Sequence, residues 1–464
     1  MAITVTVRNA AELTTAFKGA VSATTILLAP GDYGDVLLRT SNNLGLVTIK
    51  SLNTASEARF ETLKMIGVNK VQIENVEIAH TLMEGERLFV PAVSVLGSSN
   101  VTFIGIDLHG SLNGTTFDDG NGMTIIASKN INILDSTFTE LNVGLSINNS
   151  SGIVVAGNTG TMMRSFMVGV AVKNALFELN YLHDLMPNYA AGDHPDFFQI
   201  ATGGTADPST NLTFRSNVMI ESPGDYIGGF YIQSERFQEG VRHSNVTVEN
   251  NYFLGNYRHA VSFTGASNIV VKNNTILNTD GTAPTAAISL KDVHGAKLIG
   301  NVEPLIVESR LYKNTNVAIT NNVDLWDPQF KIGVPVAGIV DLPANGPLDF
   351  ETLGVKAGSL AARLGAGFDP VPGIGDLAGT NATNAAHYKN VLVQLAKVGS
   401  TFGMFGDTSD DVDLSVLGTA QLQPGGVQAM VFDDRMGADT PIMTIGLDLG
   451  SMDALHATAF THVA

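Results

Sequence analysis

Seven times in succession, an asparagine stands at the same distance from a short alternating apolar strand. No other feature of this sequence constrains its fold as strongly. The unit is apolar-x-apolar, with Asn five residues after the first apolar position. It reads Ile153-Val154-Val155 to Asn158, Ala175-Leu176-Phe177 to Asn180, Leu212-Thr213-Phe214 to Asn217, and Val246-Thr247-Val248 to Asn251. Ile269-Val270-Val271 to Asn274, Ala296-Lys297-Leu298 to Asn301 and Val317-Ala318-Ile319 to Asn322 complete the run. Looser copies without the asparagine start at Val71, Val101 and Ile131. Successive starts lie 21 to 37 residues apart, and the shortest steps suit one coil of short strands and turns. Alternation sends one set of side chains inward and the other outward. Asparagine at a bend tolerates left-handed backbone angles, and stacked copies can hydrogen-bond from coil to coil. The asparagines therefore read as structural.

These features predict an all-β right-handed parallel β-helix. A leucine-rich or hexapeptide solenoid is set aside, because neither period occurs. Composition agrees with compact β structure: among 464 residues, 15% are charged, 44% are hydrophobic and 48 are glycine. There is no cysteine, so neither a disulfide nor a thiolate metal site is available. The net charge of -18 opposes binding to nucleic acid, and also to an acidic glycan unless a basic patch or a cation intervenes.

Near the start, Asn9 is placed to cap a helix through Ala10–Phe17, which would cover the open apolar end of a solenoid. The strand Thr25–Leu28 and the turn Pro30-Gly31-Asp32-Tyr33 follow. This succession resembles the pectate-lyase-like superfamily of parallel β-helices, whose members often begin with such a helix, an apolar strand and a Pro-Gly-x-Tyr turn. The resemblance covers about residues 3–325, some 70% of the chain. It implies a polysaccharide ligand handled on the outside of the coil.

Three regions are expected: residues 1–325 as the β-helix with its N-terminal cap, 326–399 as a cap and linker, and 400–464 as a small C-terminal β module. The linker is rich in Pro, Gly and Ala and is expected to pack on the last coil, with a short helix at His387–Val398. The C-terminal module is a candidate for homo-oligomer assembly. No stretch of 18 apolar residues predicts a membrane span. The N-terminus lacks the basic start and apolar core of a secretory signal. Synthesis in the cytoplasm is expected, with action outside the cell or on a virion-like particle.

Chemistry is expected where the two longest late steps insert residues, between Ala175 and Val246. This stretch holds Asp193-His194-Pro195-Asp196-Phe197-Phe198-Gln199, then Gly224-Asp225-Tyr226 and Tyr231-Ile232-Gln233-Ser234-Glu235-Arg236; Tyr257-Arg258-His259 enters the next strand. If Phe198, Ile200, Phe230 and Ile232 point inward, Gln199, Tyr231 and Gln233 point outward, with His194, Asp196, Arg258 and His259 at the rim. Amides and aromatic rings suit sugar hydroxyls and faces. The plain alternative is that the glutamines stack on an exposed sheet and the histidine caps a turn.

His194-Pro195-Asp196 followed by Gln199 resembles motifs of β-helix uronate lyases and C5-epimerases. Alginate epimerases carry Asp-Pro-His-Asp at such a place, whereas here Asp193 precedes the histidine and no Asp precedes the proline. The resemblance implies β-elimination at a uronic acid, a carbon–oxygen lyase reaction. His194 would be the base, and Tyr231 or His259 the acid. Arg258 or a cation would neutralise the carboxylate, and Asp196 would orient an imidazole or hold the metal. Gln199, Gln233, Asp225, Arg236 and Phe197 are the candidate substrate contacts. Calcium is the candidate cofactor, with Asp196 or the segment Asp118-Asp119-Gly120-Asn121 as donors. Two alternatives remain open. One is a glycoside hydrolase using Asp196 with Asp225 or Glu235. The other is a non-catalytic spike or fibre of a phage-like particle that attaches to host polysaccharide.

Overall fold

A computed structural model describes residues 3–40, 45–222, 225–278, 286–326, 333–341, 348–371 and 373–376. It also describes the backbone of Ala429–Val431, Met443–Asp448 and His456–Thr461. The short alternating strands wind into one continuous parallel sheet, so the chain is a right-handed parallel β-helix. All ten sequence starts fall in one column. Val71 pairs with Val101, then Ile131, Ile153, Ala175, Leu212, Val246, Ile269, Ala296 and Val317 in unbroken parallel register. Three further strands precede them, since Ile3 pairs with Thr24, Thr24 with Val47 and Val47 with Val71.

This column forms one face of the coil. A second face runs from Gly31–Asp32 to Val323–Asp324. The third starts at Asp35–Arg39, passes through Asp196–Ala201 and Gly228–Gln233, and ends at Ile306–Glu308. Inward residues of all three faces form one core. Within it, like residues stack coil on coil: Phe177 lies on Phe214 at 4.9 Å and Phe198 on Phe230 at 5.3 Å. These spacings approach the separation of neighbouring strands.

Helix Ala10–Gly19 buries Leu13 and Phe17 in the same core, and Asn9 accepts a hydrogen bond from Glu12 N at its start. Tyr33 fixes the first turn by donating from Oη to Val7 O (2.8 Å).

The turns are held by two buried columns. Asn158, Asn180, Asn217, Asn251, Asn274, Asn301 and Asn322 align, each donating from Nδ2 to Oδ1 of the next over 2.8 to 3.0 Å. The same Oδ1 atoms accept main-chain N–H groups, so each amide serves several otherwise unpaired groups. The residue before each asparagine, or a glycine there, takes a left-handed conformation, as at Asn250 (φ 53) and Gly157 (φ 68).

Another turn uses serine. Ser98, Ser128 and Ser150 each accept the main-chain N–H one coil back, and Ser209 accepts that of Val172. His243 continues this column: Nδ1 accepts from Ser209 N (3.0 Å) and Nε2 donates to Gln233 O (3.0 Å). Complete burial lowers its pKa to about 4.

Residues 333–341, 348–371 and 373–376 differ from expectation. They do not stop at the last coil but run back along the outside of the second face. Gly367 N donates to Gly300 O, Phe368 N to Thr275 Oγ1, Asp369 N to Asn250 Oδ1, and Gly375 N to Leu179 O. Thr159 Oγ1 donates to Gly375 O (3.0 Å). The cause lies in the outward row beneath, where Leu179, Val218, Tyr252, Leu277 and Val302 are apolar and form a second cluster with Leu353, Ala361, Phe368 and Ile374. The expected helix at His387–Val398 lies outside the described residues. Of the C-terminal module, only a three-stranded antiparallel sheet is described.

Two measurements test this account. Asn251→Leu strands several buried donors and acceptors and should cost roughly 3 kcal/mol or more. Asn245→Gly, in an exposed left-handed position, should change stability by less than about 1 kcal/mol; equal losses in denaturant titrations would refute a special role for the buried column. Because the pKa of folded His243 lies below its ordinary value of 6.5, the unfolded chain binds the extra proton in between. Stability is therefore full above pH 6.5 and should fall by about 1.4 kcal/mol per pH unit from there towards pH 4. His243→Ser should remove that increment of slope.

Candidate functional site

The insertion before Asp196–Ala201 brings His194 over the third face. His194 Nδ1 donates to Asp196 Oδ2 at 2.8 Å, and both residues are buried. An ionised carboxylate only accepts, which would make Nδ1 the donor in this contact. The Tyr231 ring lies 4.7 Å from the His194 ring, and His259 lies 5.2 Å from Tyr231. Tyr257 closes the group, 5.0 Å from His259 and 6.1 Å from His194.

The expected alternation holds for the strand interiors. Phe198, Ile200, Phe230 and Ile232 are in the core, Gln199 pairs with Tyr231 in register, and Tyr231 Oη donates to Gln233 Oε1. The outward row is more covered than expected: Gln199 is 2% exposed and Tyr231 4%, against half-buried Gln233, His259 and Tyr257.

Phe197 is a correction. It was expected on the binding side, but it is fully buried in the core and packs edge-on against Phe253. Arg236 pairs with Glu239 at the surface. Glu235 is held through Oε2 by Thr202 N (2.8 Å) and the Thr202 hydroxyl. Arg258 is exposed at the entrance, and half-buried Asp225 has its pKa raised by burial.

Asp196, the expected cation donor, has one oxygen engaged. Oδ2 is taken by His194, and Oδ1 is pressed against Gly228, where a Cβ would stand 1.9 Å away. Among the described residues no group of three or more His, Cys, Asp or Glu is arranged for a metal. Of Asp118-Asp119-Gly120-Asn121, Asp118 is exposed beside Asn113, and Asn121 accepts from Asn142. Only Asp119 turns its carboxylate into the protein.

Several supporting residues were not singled out by sequence. Arg164 forms a two-pronged ion pair with Asp193, which also accepts from Asn188 N (2.6 Å), and so locks the His194 insertion to its strand. A lone charge in the uncharged stretch Gly160–Val170 was the available signal. Tyr189 Oη accepts from Tyr226 N (2.8 Å), joining the two insertions. Gly228 admits the Asp196 carboxylate.

No protein-family model matches the sequence, and no curated protein matches it. Solved structures do resemble the fold. The PL6 family alginate lyase AlyGC has 11% identity and a TM-score of 0.44 over 80% of this chain and 58% of that one. Pectate lyase Pel9A has 14% identity and a TM-score of 0.37 over 74% and 84%. The Dettilon tailspike protein has 13% identity and a TM-score of 0.36 over 67% and 62%. The chain thus spans little more than half the length of the PL6 enzyme. Its own continuous parallel register makes it a parallel β-helix. No helix among the described residues is long and apolar enough to cross a membrane.

Gly228→Ala tests the dyad's housing. The new methyl group should displace Asp196 and break its bond to His194, at about 1–3 kcal/mol in stability. A downfield His194 Nδ1 proton in the NMR spectrum of the native protein should vanish in this variant and in Asp196→Ala; its survival in Gly228→Ala would refute the contact.

Proposed function

We propose that this chain binds a uronate-containing polysaccharide along its third face and cleaves it by β-elimination. The observation that carries the reading is the buried His194–Asp196 pair set against the Tyr231 ring. In this mechanism His194 Nε2 removes the C5 proton of the uronic acid. The electron pair left at C5 forms the C4–C5 double bond as the C4–O bond breaks. Tyr231 or His259 protonates the departing oxygen, so the products are an unsaturated uronate and a new chain end. Asp196 holds the ring orientation and stabilises the imidazolium. Exposed Arg258 would meet the substrate carboxylate.

The two-carboxylate hydrolase has less support, because Asp196 is engaged by His194 and Glu235 by Thr202. The near-complete burial of His194 and Tyr231 favours a second reading, attachment without turnover, in which the pair is structural and the exposed rim binds the glycan.

His194→Ala separates the two. For a general base, turnover should fall about 10²–10⁴-fold while glycan affinity stays within a few-fold. The assay follows unsaturated uronate absorbance across candidate glycans and equilibrium binding to the same glycans. Tight binding by wild-type protein with no product would establish attachment and overturn the lyase.

A further inference from the structure

Away from the His194 site, two buried carboxylates each leave one oxygen unsatisfied. Asp119 is fully buried and Glu140 nearly so. Each spends one oxygen on the loop at residues 110–119: Asp119 Oδ1 accepts from Ser111 N (2.7 Å), and Glu140 Oε1 from Gly114 N (2.8 Å). The remaining oxygens, Asp119 Oδ2 and Glu140 Oε2, have no hydrogen-bond partner among the described residues. Nor does Ser111 Oγ, the side chain of the residue whose N–H donates to Asp119. Gly110 joins the two sides. A Cβ there would stand 2.2 Å from Glu140 O and 2.3 Å from Asp119 Oδ1.

Bare carboxylate oxygens inside a protein are costly unless a proton or a cation satisfies them. The far end of the coil shows the proton solution. Burial pushes fully buried Glu303 well above the ordinary carboxylate range, aided by repulsion from Asp324. Burial also raises the Asp119 carboxyl, aided by repulsion from Glu140, and no hydrogen bond joins the two side chains, so they do not share a proton across a direct contact. All the unsatisfied atoms are oxygens, the donors preferred by hard cations.

We propose that Asp119 Oδ2, Glu140 Oε2 and Ser111 Oγ bind a hard divalent cation of the calcium type, with water completing its shell. The ion relieves the repulsion and fixes the 110–119 loop to the strand Thr137–Asn148. Buried Thr116 of that loop donates from Oγ1 to Met186 O (2.9 Å), so the ion also steadies the insertion that carries His194. The cation site stands independently of any glycan reading.

The test uses the full chain, freed of metal with EGTA and dialysed, then titrated calorimetrically with CaCl2 and, separately, MgCl2. Saturable binding of one calcium per chain is expected, with Kd on the order of 10⁻⁵–10⁻³ M for so few charged donors. The unfolding temperature should rise with calcium concentration. Asp119→Asn and Glu140→Gln should each weaken binding at least about tenfold. Ser111→Ala removes only an unpaired hydroxyl and keeps the test open if the carboxylate variants fail to fold; it should weaken binding several-fold. The proposal is overturned if the metal-free wild type binds no calcium, or if every variant that folds binds it as the wild type does. It is also overturned if the double variant is more heat-stable than wild type in EGTA and calcium changes neither, which would mean the pair holds a proton.

Discussion

A buried asparagine amide, donating to the amide one coil on and accepting from the coil before, is the interaction on which this molecule depends. A solenoid must turn its backbone inward at every corner, and each turn carries polar groups away from water. The column from Asn158 to Asn322 meets that requirement with one residue type, because an amide has donors and an acceptor at opposite edges. Deleting one member leaves groups unpaired on both sides, so the column fixes coil register as well as stability. Serine and His243 solve the same problem at another corner with fewer bonds per residue.

Corner chemistry also explains where the chain can vary. The residues that define register lie in strands and at the asparagine corner, which leaves the other connections able to lengthen. The insertions around His194 and Tyr226 use that freedom, and Arg164–Asp193 and Tyr189–Tyr226 then fasten them. His194 is thus positioned twice, by Asp196 from the strand it enters and by the ion pair at the residue before it. A rigid face with fastened insertions is a sound base for chemistry that requires fixed geometry.

Much of the fold was legible because its repeat is written in side chains with distinct jobs. Alternating apolar residues give the strand, and a fixed asparagine gives the corner. The serine column was not legible, since isolated serines at turns are too common to stand out. The returning segment was missed for a different reason. Tyr252 and Leu277 read as ordinary strand residues until the structure shows their row facing outward and needing cover. At the site, His194 and Asp196 stood out by type and spacing. Phe197 was misplaced because strict alternation fails at the strand entrance, where two adjacent phenylalanines are both buried. Glu140 could not be linked to Asp119 by sequence, as only the parallel register brings its strand to Gly110.

The segment that runs back from Gly367 to Gly375 changes what kind of object the coil is. A plain solenoid has only nearest-neighbour contacts, so its ends can fray one coil at a time. Here a single length of chain is bonded to Gly300, Thr275, Asn250, Leu179 and Thr159, in coils of which the first and last do not pair with each other. Opening the C-terminal coils means stripping this brace from the middle of the molecule as well. Loss at the edge is thereby tied to loss at the centre, and what would peel like a loose spring is made to open as a single body.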